Sequence, residues 1–241
     1  MKKAFIYLAT AVFFVSSCNR DNNTTARIQE VDNLTTQNTN DDAAIAKYLD
    51  EHYLDSQGKI VAFSSTSTDD DNNKKLSELN PQKLSSGVIV IKREDAQPTS
   101  GTAIGSTDVL RLMHKTTAFL SQDDDGIKYT SEISFANTIE TTGVPEVDPS
   151  YYYVKNNILT STGNARSYYE IEGLQEGMQH FESFDKADSE NYNLQGVIIV
   201  PSRAAFARDT HYPYGGVSWR NRTFVFNFQV YKSSTRTTSE E

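Results

Sequence analysis

The stretch Tyr168–Tyr231, YYEIEGLQEGMQHFESFDKADSENYNLQGVIIVPSRAAFARDTHYPYGGVSWRNRTFVFNFQVY, orders a helix, a strand, a loop and a second strand, and that order decides the fold. Gly173 opens a segment in which Leu174, Met178 and Phe181 recur at spacings of four and three. That is one face of a short helix, and Gly177 leaves room for close approach. Gly196 to Val200 is an unbroken apolar run stopped by Pro201 and Ser202, the pattern of a buried strand. After a loop rich in Gly, Pro and aromatic residues, Thr223 to Tyr231 alternates. Phe224, Phe226, Phe228 and Val230 make an apolar face, and Thr223, Val225, Asn227 and Gln229 a mixed one.

Upstream, Gly87 to Lys92 (GVIVIK) reads as a strand, and Asp108 to Phe119 (DVLRLMHKTTAF) as a longer one. Asp123-Asp124-Asp125-Gly126 is a turn signal, so Ile127 to Tyr129 forms the return strand. Residues 131–167 are interrupted by Val144-Pro145 and Asp148-Pro149; Tyr151-Tyr152-Tyr153-Val154 fits a short edge strand, and its tyrosine triplet a binding platform or wall packing. Asp41 to Leu54 carries a helical stripe (Ala44, Ile45, Tyr48, Leu49, His52, Tyr53) with Asp41 or Asp42 as its cap. Lys59 to Phe63 suits a short strand. The run STSTDDDNNKK after it lacks the spaced oxygen ligands of a calcium loop and reads as a solvated, mobile connector. His52 reads as a partly buried packing residue of the helix from Asp41 to Leu54 and His114 as a sheet residue, since no nearby Cys, Asp or Ser spacing around His114 suggests a metal site or nucleophile relay.

The chain has 241 residues and a formal charge of −9, with no basic patch evident, which argues against nucleic acid as a partner. Its start, MKKAFIYLATAVFFVSSC, has two lysines, an apolar run from Ala4 to Val15 and small residues before Cys18. That is a secretory signal too short to span a membrane. It resembles a bacterial lipoprotein signal, although Val15 stands where such signals favour Leu. The resemblance implies acylation of Cys18, the only cysteine, and so no disulfide within the chain. Residues 1–17 are then the signal peptide, 18–40 a lipid-anchored flexible tether, 41–86 the N-terminal helix and mobile connector, 87–232 one compact domain and 233–241 a disordered tail. The implied location is the cell envelope, at the outer membrane.

With these elements placed, residues 87–231 resemble the FKBP-type peptidyl-prolyl isomerases, and lipoprotein members from Bacteroidetes in particular. The resemblance rests on GLQEGM at 173–178, IVPSRAAF at 199–206, the strand TFVFNFQV at 223–230 and the early hairpin DVLRL…DGIKY. It implies an α+β fold, a strongly bent antiparallel sheet wrapped on the short helix after Gly173, preceded by an N-terminal helix. It also implies an apolar basin for proline between sheet and helix. Matching motif by motif gives Tyr129 as an aromatic wall, Ile171 before the helix, Leu174 as floor, Phe206 in the late loop and Phe226 on the last strand, with Thr130 as an auxiliary position.

Such a basin needs no nucleophile, metal or cofactor. The barrier to X-Pro rotation, about 20 kcal/mol, comes from amide resonance. A dry basin favours the twisted imide through differential binding. The chain departs from the family at three positions: Thr130 stands for an Asp, Leu174 for a Trp and Phe206 for a Tyr. Three readings follow: a prolyl isomerase or folding helper acting on proline-containing segments, a catalytically inactive FKBP-like peptide- or protein-binding lipoprotein, and a carbohydrate-binding or assembly lipoprotein of another all-β fold. An open basin lined by Phe206 and Phe226 favours prolyl-peptide binding; burial of both in one core favours a structural role.

Overall fold

The computed structural model describes residues 31 and 33–237. The expected signal, Cys18 and the first part of the expected tether lie outside the described residues. Along the chain run α1 (Leu34–Glu51), β1 (His52–Leu54), β2 (Ile60–Ala62), β3 (Gln82–Lys83), β4 (Ile89–Lys92), β5 (Thr102–Ala103), β6 (Val109–Asp123), β7 (Ile127–Asn137), β8 (Glu146–Val147), α2 (Asn156–Thr162), α3 (Glu172–Met178), β9 (Glu182–Ser183), β10 (Gly196–Val200) and β11 (Arg222–Ser234). The main sheet has the order β3-β4-β10-β11-β6-β7, with β8 added beside β6, and all its pairs are antiparallel.

The unbroken apolar sequence of β10 has a direct cause: every one of its residues is buried, because both faces of the sheet are covered. On one face Val90, Ile198, Val200, Phe224, Phe226 and Phe228 pack with α3. On the other, Ile89, Ile91, Val197, Ile199 and Val225 pack under Ala44, Ile45, Tyr48 and Leu49 of α1. The strongly bent sheet wrapped on the short helix is therefore corrected to an open sheet, edged by β3 and β7, between two helices. A seven-residue α3 is too short to cover six strands, and the eighteen-residue α1 takes the opposite face.

α1 also starts earlier than its apolar stripe suggests. Asn33 is the cap, accepting from the Thr36 N–H at 2.7 Å, so residues 34–40 belong to the helix and Asp41 lies inside it. Those residues carry no apolar period; Gln37, Asn40 and Asp41 are buried as polar groups instead. Tyr151–Tyr153 form no edge strand. They follow Pro149 in a turn, where the Tyr152 N–H reaches the Pro149 carbonyl at 2.9 Å, and all three are buried. The expected tail is also shorter: β11 runs to Ser234, Ser233 donates its hydroxyl to Asp108 at 2.6 Å, and Arg236 forms a two-pronged ion pair with Asp148.

Candidate functional site

α3 lies directly on β10 because its two glycines permit it. A Cβ on Gly173 would stand 2.5 Å from Val200 Cγ1 and 2.8 Å from the Ala204 carbonyl oxygen, and one on Gly177 2.7 Å from Ile198 Cγ2. This seat brings Ile171, the cap of α3, and Leu174 against the sheet, and both are at 0% exposure. Phe226 reaches the same volume from β11, where it pairs with Ile198 of β10 and Thr116 of β6, and is also at 0%. Phe206 enters from the loop after β10 at 2% exposure, stacked on His211 with centroids 4.6 Å apart and edge-on to Phe224 at 6.0 Å. Four of the five substrate-binding positions expected from the sequence thus share one cluster.

Tyr129 is not among them. It packs against the other face, edge-on to Tyr48 of α1 at 5.3 Å and 5.4 Å from Phe119. Its hydroxyl donates to Glu51 at 2.7 Å; burial and then that carboxylate push its pKa far up. Beside it an open cleft of about 540 Å³ is lined by Asp50, Glu51, Phe63, Lys75 and Glu78. Thr130 donates its hydroxyl to Gln122 across the hairpin at 3.0 Å.

Around these four residues pack side chains that the sequence reading did not place with them. Phe135 is the hub, 4.9 Å from Trp219, 5.0 Å from Tyr151, 5.1 Å from Phe224 and 5.4 Å from Tyr214, each edge-on. Tyr151 comes from the long 131–167 segment, and its hydroxyl is tied down. It donates to Glu146 at 2.6 Å and lies 3.2 Å from His114 Nε2, while His114 Nδ1 meets the Thr116 hydroxyl at 2.8 Å. Burial would raise the Glu146 carboxyl, but its hydrogen bonds to His114 and Tyr151 outweigh burial and hold it below the usual carboxylate range. Burial, reinforced by Glu146, pushes the Tyr151 phenol well up. The chain's single tryptophan and the tyrosine triplet were the available signals, since large rings carry much of a core's buried area. Among the described residues, no group of three His, Cys, Asp or Glu side chains is placed to hold a metal.

No family model and no curated protein matches the chain. Solved structures similar to it include a peptidyl-prolyl cis-trans isomerase from Pseudomonas syringae pv. tomato, with 12% identity, 64% of this chain and 81% of that chain covered, and a TM-score of 0.34. FkpA from Escherichia coli is similar at 18% identity over 64% of this chain and 51% of that chain, with a TM-score of 0.35. The N-terminal domain of FKBP42 from Arabidopsis thaliana is similar at 11% identity over 64% and 92%, with a TM-score of 0.37. At TM-scores this low the likeness establishes neither family nor function.

Proposed function

We propose that this chain is a non-catalytic FKBP-like lipoprotein of the cell envelope that binds proline-containing peptide segments rather than turning them over. The burial of Ile171, Leu174, Phe206 and Phe226, at 2% exposure or less in one aromatic cluster, carries the non-catalytic half of this reading; the peptide-binding half rests on the motif resemblance alone, because buried rings by themselves favour a structural role. Isomerisation requires a basin that admits the proline ring and strengthens its grip as the imide twists. Here the protein's own rings hold that volume. A binding-competent state with Phe206 displaced is a minor one, which weakens apparent affinity by its population. The test is a protease-free prolyl-isomerisation assay on the purified protein, paired with titration of the same peptide. Saturable binding with no acceleration above the uncatalysed rate is expected; turnover above background overturns the non-catalytic reading. The envelope location rests on the signal pattern ending at Cys18. Intact mass of membrane-extracted protein tests it, with cleavage before Cys18 and added acyl mass expected and a soluble, unmodified mature form refuting it.

A further inference from the structure

Of the four clustered basin residues, Phe206 alone rides on neither the sheet nor α3 and its cap. It sits on a tight turn: Ala207 has a φ of 48° and its N–H returns to the Ser202 carbonyl at 2.8 Å. Both shoulders of that turn are held by residues 31–42. On the near side Asp41, at 0% exposure on α1, takes the Ser202 N–H at 3.0 Å and the Ser202 hydroxyl at 2.5 Å on one oxygen, and Gln37 Nε2 at 2.8 Å on the other. Arg203 pairs with Asp42 at 2.6 Å and donates to the carbonyls of Ser86 at 3.1 Å and Asn38 at 3.4 Å. Its guanidinium crosses Gly87, where a Cβ would stand 1.9 Å from Nη2. On the far side Arg208 donates to the Val31 carbonyl and, at 3.2 Å, to Asn221.

We propose that the N-terminal arm is an intramolecular latch: through Asp41 and Asp42 of α1, and through Val31 ahead of it, it holds the 202–208 turn so that Phe206 fills the basin, and loosening that grip opens the basin to an apolar, proline-containing peptide. The proposal rests on the reading above only for what enters; the grip on Phe206 stands on these contacts. The chemistry suits a release. Asp42 and Arg203 are partly exposed, with side chains at 39% and 24%, so water can replace their pairing at small cost, whereas the buried Asp41–Ser202 bonds hold on as the pivot of the turn. Phe226, by contrast, is bonded between β10 and β6 and leaves only with the sheet.

The test compares the full chain with the double variant Asp42→Ala/Arg208→Ala and with Lys47→Ala, which breaks only the pair with Glu51 further along α1. Two quantities are read: hydrogen exchange of amides 202–208, and affinity for a fluorescein-labelled Ala-Leu-Pro-Phe peptide. The latch requires exchange in 202–208 to rise about tenfold in the double variant, with β10 and β11 unchanged and Lys47→Ala matching the parent. Faster exchange with tighter peptide binding supports both latch and prolyl ligand. Faster exchange with no peptide binding in any protein supports the latch and overturns the prolyl reading. Unchanged exchange overturns the latch whatever the peptide does. If the double variant does not fold, Asp42→Ala alone is judged by the same exchange criterion.

Discussion

Phe206→Ala separates a sealed core from an open basin by magnitude alone. The side chain is 2% exposed, stacked on His211 and edge-on to Phe224, with Tyr214 at 6.4 Å. Truncating a buried Phe costs about 3–5 kcal/mol, from lost transfer energy and the cavity left behind. The turn that carries Phe206 is outside the sheet and collapses in part, so the expected loss is about 3 kcal/mol. A ring lining an open basin would lose about 1 kcal/mol or less, because water already covers much of it. The reporter is built in: Trp219, the only tryptophan, is 1% exposed and belongs to the same cluster. In urea, with a slope of about 3 kcal/mol per M, the midpoint followed by Trp219 fluorescence falls by about 1 M at constant slope. Phe206→Leu, which keeps most of the volume, falls by about a third of that. A midpoint shift for Phe206→Ala below about 0.3 M, with the slope intact, would refute the sealed-core reasoning.

Gly173→Ala sets about 1 kcal/mol of gained helix propensity against overpacking on Val200 and the fixed Ala204 carbonyl; overpacking wins, and chemical denaturation shows a net loss of about 1–2 kcal/mol. Gly177→Ala, which meets only Ile198 side-chain carbons, loses less in the same measurement. Arg236→Ala removes the two-pronged partner of Asp148 and a cation–π contact to Tyr153 at 4.4 Å; since the pair is partly buried and Lys155 remains 3.3 Å from Asp148, calorimetry shows a loss between those of an exposed and a fully buried pair, about 1–2 kcal/mol. Asp41 gives a pH signature. Burial raises its pKa despite the bonds from Ser202 and Gln37, so its contribution is full below the unfolded value near 4 and is lost as pH rises through the folded one. Relative to Asp41→Asn, the parent therefore gains stability as pH falls from 7 toward about 4.5, whereas Asp42 and Asp148, with lowered pKa values, lose theirs only below about 4; a stability difference between the two proteins that is flat with pH contradicts the assignment.

The core elements were legible because their patterns are local. The run GVIIV became β10 to the residue, and Leu174 and Met178 face inward from α3 as their spacing requires. Phase across β7 was not legible. Tyr129 and Phe135 are six residues apart and would share a face on a regular strand. The pairing of β6 with β7 slips between Ala118 and Leu120 and again between Thr116 and Thr117, and Ser131 has a φ of 50°. A one-residue slip turns every later side chain to the other face. Tyr129, before both slips, meets α1; Phe135 lies beyond the first slip and inside the second, so only the first has turned its face, and it packs against the cluster under α3. The start of α1 was hidden for a different reason. Its first turns are buried through Gln37, Asn40 and Asp41, and polar burial leaves no apolar period to read.

The three positions where the chain departs from the motifs it resembles are explained by their surroundings, two of them inside this cluster and Thr130 outside it. Phe206 lies stacked on His211 in a dry site, where the extra hydroxyl of a Tyr would need a partner or cost about 1–3 kcal/mol. Leu174 shares its cluster with Trp219, Phe135, Tyr151 and Tyr214, and the volume of an indole at the floor is already spent on those rings. Thr130 is bonded to Gln122 beside a hairpin whose aromatic neighbour, Tyr129, has turned to the opposite face. A carboxylate restored at residue 130 would have no open basin to order. With Phe206 buried among rings, hydrogen-bonding groups around it would have nothing to act on, and apolar bulk is what packing favours there.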